Sequence, residues 1–226
     1  ANQLNALFTE AKDRAKALPT PKLEKADLIL SNDNVEALLG VYESSTNAGS
    51  LYNHMSNLEM GQNIQENAEG DKIDMTMLSS LKGSIFNTPI DADGVILKSS
   101  KVIENGVFTT AWGDARHSFY MSIPATGALR NVSFKGGSKT IKELEKTDAL
   151  EVLDFSSFIV DNSTGDFSGE IRLGYVLKDG TKTAISGGSI SGNLLALHHQ
   201  LYLSQETQRS NRFEGPVKLR LNGVSV

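Results

Sequence analysis

The sequence predicts an α+β protein rich in β-structure, with a twisted antiparallel sheet or barrel-like core and a few peripheral helices. Apolar residues occupy every second position from Ile171 to Leu177, which is the period of a strand with one buried face. Asp179-Gly180 and Asn105-Gly106 follow such segments, and both pairs favour the positive φ angles of tight hairpins. Hairpins interspersed with short helices indicate the α+β class. Closure into a barrel would remove exposed strand edges.

The stretch Ile159–Ser204 carries the clearest pattern, and the rest of the chain is organised around it. We predict a strand, a turn, a second strand, a hairpin and a return strand over Thr181–Ser186. Gly187-Gly188 then interrupts this strand, because consecutive glycines favour a turn. Ser191–Asn193 is expected to start a helix, since serine and asparagine side chains cap free backbone N–H groups.

The first third of the chain has helical periodicity in several places. Gln3–Leu18 has an apolar stripe with charged residues outside it, which indicates an amphipathic helix. The next predicted elements are a strand over Ala26–Leu30, a helix over Val35–Tyr42 with a capping box of Asp33 and Glu36, a connection over Glu43–Gly49 and a weak helix over Leu51–Met60, whose Met55, Leu58 and Met60 fill the core.

The remaining segments alternate between strands and short helices. Before the organising stretch we predict strands over Lys72–Leu81, Val95–Ile103, Val107–Trp112, Asn131–Phe134 and Ala149–Val160, an irregular segment over Phe86–Gly94, and helices over Asp114–Met121 and Thr140–Lys146. Thr140 and Glu143 have the spacing of a capping box. After the organising stretch we predict a polar link over Ser204–Gly215 and a final strand over Val217–Asn222, with a turn at Asn222-Gly223.

Composition limits the classes of function. The chain has 226 residues, a net charge of −5 and 39% hydrophobic residues, as expected of a globular protein with a real core. The acidic balance argues against nucleic acid and anionic membranes as partners. The absence of cysteine excludes disulfides, thiol nucleophiles and thiolate metal ligands. No apolar run spans a bilayer and no signal peptide is recognisable, so a cytoplasmic location is expected.

No group of residues forms a clear catalytic motif. The histidines His54, His117, His198 and His199 lack the spacing of a zinc-binding HExxH pair, and His198 has the register of a packed side chain. Asp91/Asp93 and Asp161/Asp166 lie in turns, where aspartates bond to local backbone. Ser189 and Ser191 lie in a glycine turn and favour a capping role over a nucleophilic one.

Several motifs, taken together in order, resemble the C-terminal domain of the TldD/PmbA family, and its PmbA (TldE) branch in particular. The segments that carry the resemblance are Arg14–Leu18, Leu28–Asn32, Ala37–Gly40, Asn47–Tyr52, Asp91–Val95, Val102–Val107, Ala115-Arg116, Pro124–Gly127, Thr164–Ser168 and Gly188–Leu194. Members of this family are known as modulators of DNA gyrase and as an ATP-independent metallopeptidase system. The resemblance implies one C-terminal-type domain over 1–226, with a leading helix over 1–20 and without the family's N-terminal domain.

The resemblance also carries an expectation about metal. The catalytic TldD branch has an HExxxH motif that supplies zinc ligands and a base, and its positions align with Gly40–Ser45, which contain no histidine. We therefore expect no catalytic residue, no metal ligand and no cofactor in this chain, with zinc only in a TldD-like partner. Unfolded peptide is the substrate that the resemblance implies.

Three functions follow as hypotheses. The first is a metal-free subunit that supports an HExxxH-containing TldD-like subunit, or self-associates, and helps to degrade or mature unfolded peptides. The alternative is a non-enzymatic, protein-binding regulator of the gyrase-modulator type. The third is an enzyme with its own metal site built from His and Asp/Glu. Extended peptides or partners are expected to bind at glycine-rich strand edges, and the predicted binding residues are Gly165, Asp166, Gly187, Gly188, Ser189, Gly192 and Asn193.

Overall fold

The computed structural model describes residues 2–226, so Ala1, the first residue of the predicted domain, lies outside the described residues. The helices are α1 (Asn2–Lys16), α2 (Asp33–Ser45), α3 (Ala48–Tyr52), α4 (Ala115–Tyr120), α5 (Ile141–Leu144) and α6 (Leu194–Leu197). The strands are β1 (Leu18–Pro19), β2 (Lys25–Ser31), β3 (Met75–Leu78), β4 (Ser100–Glu104), β5 (Val107–Phe108), β6 (Asn131–Phe134), β7 (Ala149–Val160), β8 (Asp166–Lys178), β9 (Thr181–Ser186), β10 (Ser189–Asn193), β11 (Leu201–Leu203), β12 (Thr207–Arg209), β13 (Phe213–Pro216) and β14 (Lys218–Ser225).

Five of these strands close into a barrel. β8, β10, β14, β2 and β7 follow one another around it, and β7 pairs with β8 to complete the ring. β2 and β7 are parallel neighbours, whereas the other adjacent pairs are antiparallel. β9 and β1 extend the sheet from β8, and β11 pairs with β14. The predicted α+β class with a barrel-like core is confirmed.

A second sheet has the strand order β12-β13-β6-β3-β4-β5. One continuous apolar core joins this sheet to the barrel, with Met75 and Val132 from the sheet and Leu28 and Leu219 from the barrel among its members. Helix α2 contributes to the same core through its buried side chains, which are Val35, Leu38, Leu39, Val41 and Tyr42. The opposite face of α2, which includes Glu36, Ala37 and Gly40, remains accessible to solvent.

Several predicted local structures are confirmed. β7 has the predicted bounds, Ala149–Val160. Asn105-Gly106 and Asp179-Gly180 both have positive φ at each position, as a tight two-residue hairpin requires. The capping box of α5 is present, because the Thr140 hydroxyl accepts from the Glu143 backbone while the Glu143 carboxylate accepts from the Thr140 backbone.

The predicted first helix is present as α1, but its apolar stripe is exposed and does not pack on the core. Leu4, Leu7 and Phe8 are each at least 60% exposed. The helix instead contacts the barrel sheet through polar groups: the Tyr175 hydroxyl donates to Asp13 at 2.8 Å, and Arg14 pairs with Asp154 at 2.6 Å. Leu18 lies beyond the helix, because residues 18–19 add a parallel strand, β1, to β9.

The predicted start of the second helix is also corrected. Asn32 precedes α2 with φ 57°, and the described residues show no side-chain cap at this end, so the predicted capping box of Asp33 and Glu36 is wrong. The helix extends to Ser45, through part of the predicted connection Glu43–Gly49. Buried residues at Val41, Tyr42 and Ser45 explain the extension, since their contacts with the core outweigh weak local propensity.

Further corrections concern the methionines and the short strands. The predicted helix over Leu51–Met60 ends at Tyr52, and Met55 and Met60 are about half exposed, so neither fills the core. The predicted glycine turn before α6 contains the strand β10, and the predicted polar link Ser204–Gly215 contains β12 and the start of β13. β10, β12 and β13 are short and lack an alternating apolar pattern, so their sequences alone do not indicate strands. Their pairing with neighbouring strands in the sheets identifies them.

The end of the final strand differs from the predicted turn. Asn222-Gly223 does not reverse the chain, and β14 continues to Ser225. Its pairing with β2 shifts register between Leu221 and Val224, and Gly223 has φ 80° at this β-bulge. None of the helices in the described part of the chain is long and apolar enough to cross a membrane.

A buried arginine links two barrel strands to the segment between α5 and β7. Arg220 on β14 is 6% exposed, and its guanidinium donates to Asp27 on β2 at 2.6 Å. It also donates to the carbonyl oxygens of Leu144, Thr147 and Asp148, which lie at the end of α5 and in the turn before β7. These acceptors are satisfied by one side chain, so its loss leaves several of them without a donor.

We expect Arg220→Met to lower the free energy of unfolding by about 2–4 kcal/mol, because Asp27 and the carbonyl groups lose their buried donor. Urea denaturation followed by circular dichroism measures this change. Arg209→Met is the matched control, since it removes an exposed partner of Glu214 and should cost much less. Equal losses in the two variants would contradict a structural role for the buried arginine.

Candidate functional site

An open polar cleft lies on the accessible face of α2. We call it the α2 cleft, and it has a volume of about 460 Å³. Cavities of roughly 300–1,000 Å³ are typical of ligand sites. The side chains that line it are mostly polar or charged: Glu36, Ala37, Gly40, Glu43, Ser44, Asn47, Ser50, Trp112, Asn162 and Arg212.

Helical spacing explains which residues of α2 reach the cleft. The α2 residues that line the cleft are Glu36, Gly40, Glu43 and Ser44. Gly40 lies four residues after Glu36, and Glu43 and Ser44 follow it by three and four residues. Residues at these spacings lie on one face of a helix. Of the six positions Gly40–Ser45, to which the sequence resemblance assigns the HExxxH motif, Gly40, Glu43 and Ser44 therefore line the cleft. The other three, Val41, Tyr42 and Ser45, are buried on the core side.

Two carboxylates and one guanidinium set the charge of the cleft. Arg212 contacts both carboxylate oxygens of Glu43 through one terminal nitrogen, and its Nε lies 3.8 Å from Glu36. Burial raises the pKa of Glu43 above its ordinary value, although the Arg212 guanidinium acts in the opposite direction. The Ser210 hydroxyl donates to Glu36 at 2.8 Å. Because one cation faces two acids, the cleft carries a net negative charge when both are ionised.

Trp112 forms a fixed wall of the cleft. Its indole Nε1 donates to the backbone oxygen of Glu43 at 3.2 Å, in the last turn of α2. Its own backbone oxygen accepts from Ala48 at 2.8 Å, and an isolated bridge joins it to Asn47. The indole is therefore fixed to the last turn of α2, and the backbone of Trp112 to the start of α3.

The structure brings three of the predicted binding residues together. The Asn193 amide donates to the Asp166 carboxylate at 2.8 Å and to the backbone oxygen of Thr164 at 2.9 Å, and Leu194 N–H donates to Gly165 O at 2.8 Å. Hydrogen bonds from Asn193 and Thr164 lower the pKa of Asp166. Asn193 also caps α6, as predicted.

This group of residues supports the turn that carries Asn162 to the cleft. The Asp161 carboxylate accepts from the backbone N–H groups of Ser163 and Thr164, which fixes the turn between β7 and β8. A Cβ placed on Gly40 would lie 3.6 Å from Asn162 Oδ1. Gly165, Asp166 and Asn193 thus lie behind one wall of the cleft and do not line it.

The other predicted binding residues are placed elsewhere. Gly187 and Gly188 both have positive φ and connect β9 to β10, and Thr20 donates to the Gly187 carbonyl. Ser189 pairs with Glu170 on β8, and Gly192 pairs with Phe167 on the same strand. β1 covers the outer edge of β9 at Ile185 and Ser186. A segment of the chain itself therefore occupies part of the edge near these glycines.

The remaining polar candidates have local partners. Asp91 accepts from backbone N–H groups of Asp93, Val95 and Ala128, which is the predicted turn role. His117 contacts Asp114 at the start of α4. Within residues 2–226 as described, no three His, Asp or Glu side chains are grouped closely enough to hold a metal ion.

His198 is packed against a buried tyrosine, as its register predicted. Its Nδ1 lies 3.2 Å from the Tyr42 hydroxyl, and the two rings are nearly parallel. Burial lowers the pKa of His198 to about 4, and the neighbouring His199 acts in the same direction. The side chain is therefore neutral at physiological pH.

The residues that define the cleft are not among those predicted from the sequence as binding residues. Glu36 and Glu43 have helical spacing on the polar face of α2, and this signal was present in the sequence. Trp112, Asn162 and Arg212 are distant in sequence and come to the cleft only through the pairing of strands and turns. No local pattern identifies them.

Three solved structures share this fold over nearly the whole chain. A candidate modulator of a DNA gyrase from Thermotoga maritima matches with a TM-score of 0.80 and 20% identity, covering 96% of this chain and 53% of that one. TldE from Thermococcus kodakarensis matches with a TM-score of 0.76 and 17% identity, covering 96% and 54%. A candidate modulator of DNA gyrase from Bacteroides thetaiotaomicron matches with a TM-score of 0.75 and 22% identity, covering 93% and 49%.

The fold is thus that of a TldE-type or gyrase-modulator-type structure, and the chain spans about half the length of these relatives. A family model described as the PmbA/TldA metallopeptidase C-terminal domain matches residues 23–226. The chain belongs to this family, which confirms the resemblance found in the sequence. No curated protein matches the chain.

We expect opposite effects from alanine at two glycines. Gly40 lies inside α2 with room for a Cβ, so Gly40→Ala should raise the free energy of unfolding by about 0.5–1 kcal/mol. At Gly192 a Cβ would lie 2.7 Å from the Phe167 ring, so Gly192→Ala should lower it by about 1–3 kcal/mol. Urea denaturation of both variants measures the difference. A loss of stability in Gly40→Ala would show that packing requires this glycine.

The packed histidine should make stability depend on pH. Because the folded pKa of His198 is about 4 and the unfolded value is about 6.5, the unfolded chain binds the proton first as pH falls. The contribution is complete above about pH 6.5 and is lost between there and pH 4. Allowing for partial exposure, we expect about 1–2 kcal/mol.

Denaturant unfolding at a series of pH values tests this expectation. His198→Gln should flatten the fall in stability between about pH 6.5 and 4, since glutamine does not titrate. His54→Asn is the matched control for removing a histidine, because His54 is exposed and its φ of 56° suits asparagine. An identical slope in the wild-type protein and His198→Gln would contradict the account.

Proposed function

We propose that the chain is a non-catalytic PmbA/TldE-type subunit that works with a zinc-carrying, HExxxH-containing TldD-like subunit on unfolded peptides. In this proposal the zinc and the catalytic base belong to the partner. The domain over 1–226 supplies binding surface, and the pair acts in the cytoplasm. The α2 cleft is the observation that carries the proposal, because Gly40, the position that the sequence resemblance assigns to the first histidine of the catalytic motif, lines it, whereas the positions assigned to the glutamate and the second histidine, Val41 and Ser45, are buried in the core.

Three features of the cleft support a binding role over a catalytic one. Gly40 and Ser44 line it at positions that offer no metal-binding side chain. The Glu43 carboxylate is paired with Arg212, which engages both of its oxygens. Polar groups of the cleft remain partly exposed beside the largely buried Trp112, as expected of a surface that holds a peptide in place.

Family membership and fold are consistent with this function. The matching family is described as a metallopeptidase C-terminal domain, and one of the similar structures is TldE. Since the chain spans about half the length of those structures, activity of a whole relative comes to this chain only as part of the proposal.

Co-purification with a defined partner tests the proposed function. The chain and the HExxxH-containing relative encoded by the same organism are co-expressed, with an affinity tag on this chain alone. We expect a stable complex by size-exclusion chromatography with light scattering, and zinc-dependent cleavage of an unfolded polypeptide by that complex. A partner in which the HExxxH glutamate is replaced by glutamine is the control, and it should keep the complex but lose cleavage.

Two outcomes would contradict the proposal. Self-association of the chain without the HExxxH relative would remove the link to a peptidase. Stoichiometric zinc and cleavage by this chain alone would favour an enzyme with its own metal site. Specific binding of a folded client in the absence of any peptidase would instead support the protein-binding regulator.

A further inference from the structure

The α2 cleft has features that select the charge of its ligand. Glu36 and Glu43 are its two acids, and Arg212 is its one cation. Arg212 forms an ion pair with Glu43 and contacts both of its carboxylate oxygens, whereas the Arg212 Nε lies 3.8 Å from the nearest oxygen of Glu36. The negative charge of Glu36 is therefore less fully neutralised than that of Glu43. A cation bound in the cleft would neutralise it.

The end of the cleft at Glu43 and Ser44 favours the same sign of charge, whereas Glu36 lies in the first turn of α2. Glu43 and Ser44 lie in the last turn of α2, which ends at Ser45. The carboxyl end of a helix carries partial negative charge and stabilises cations. Trp112 lines the same space, and an aromatic ring is also a favourable neighbour for an ammonium or guanidinium group.

The floor of the cleft is open at a glycine that packing does not require. Gly40 lies inside α2, where glycine costs about 0.5–1 kcal/mol relative to alanine. Apart from its chain neighbours and the backbone of α2 itself, only Asn162 Oδ1 among the described residues lies within 4 Å of where its Cβ would be, at 3.6 Å. A larger side chain at this position would project toward the lining residues, so the glycine maintains space for a ligand.

We propose that the α2 cleft binds the positively charged side chain of a lysine or arginine in an extended peptide, with Glu36 as its principal charge partner. This inference rests on the proposed function for its peptide, and it adds the chemical class of residue that the cleft selects. A free amine has the same charge without the peptide backbone. The experiment therefore includes both kinds of ligand.

Trp112 provides a direct measurement, since it is the one tryptophan in the sequence. Short blocked peptides without tryptophan are titrated into the isolated full chain, with arginine, lysine, citrulline or glutamate at the central position. We expect saturable changes in Trp112 fluorescence with arginine and lysine, and binding at least ~10-fold weaker with uncharged citrulline or with glutamate. Raising the salt concentration from about 0.02 to 0.5 M should weaken binding of the cationic peptides.

Variants locate the effect in the cleft. Glu36→Gln should weaken binding of the arginine peptide by about 5–10-fold and reduce its salt dependence. Asp33→Asn is the matched control, because it removes an exposed carboxylate from the same helix outside the cleft and should leave binding unchanged. Gly40→Met should abolish binding by filling the space. Thermal unfolding of each variant confirms that it is folded.

The peptide titrations test the charge preference and the peptide assignment separately. Equal affinity for the arginine and citrulline peptides, or no effect of Glu36→Gln, would overturn it. Binding of free spermidine as tight as that of the peptides would overturn the peptide assignment. The titrations use the isolated chain, so their outcome is independent of complex formation. If the chain forms a stable complex with the HExxxH-containing relative but does not distinguish the peptides by charge, only the charge preference is rejected. If it binds cationic peptides selectively but forms no such complex, only the proposed function is rejected.

Discussion

The structure depends on a single long strand that changes its neighbour part-way along. β8 pairs with β7 along its whole length, but its other edge pairs with β10 over Asp166–Glu170 and with β9 from Gly174 onward. The change occurs at Gly187-Gly188, where both glycines have positive φ and Ile171 exchanges backbone hydrogen bonds with the pair. One branch closes the barrel, and the other extends to β9 and β1.

Barrel closure determines where the cleft forms. α2 buries one face between the barrel and the second sheet, so its opposite face has to remain at the surface. The turn between β7 and β8 then brings Asn162 to that face, and the segment before β13 brings Arg212. The cleft is thus assembled from distant parts of the chain whose positions the two sheets fix.

The sequence predicted regular elements well and irregular ones poorly. Hairpins such as Asn105-Gly106 and the long strand Ala149–Val160 have strong local signals, and the structure confirms both. β10 and β12 are defined by their partners, so periodicity missed them. The predicted glycine site illustrates the same limit: Asn193 and Asp166 do meet, but Trp112 and Arg212 had no local signal that could associate them with α2.

The most direct test of the account is to map where a cationic peptide binds. A ¹⁵N-labelled sample titrated with the arginine peptide reports every backbone amide and the single indole N–H of Trp112. The account predicts that the largest shifts occur at this indole and at the amides of Gly40 and Ser44. Shifts concentrated instead at Gly187–Gly192 would contradict it, because the peptide would then be bound at the glycine-rich strand edge.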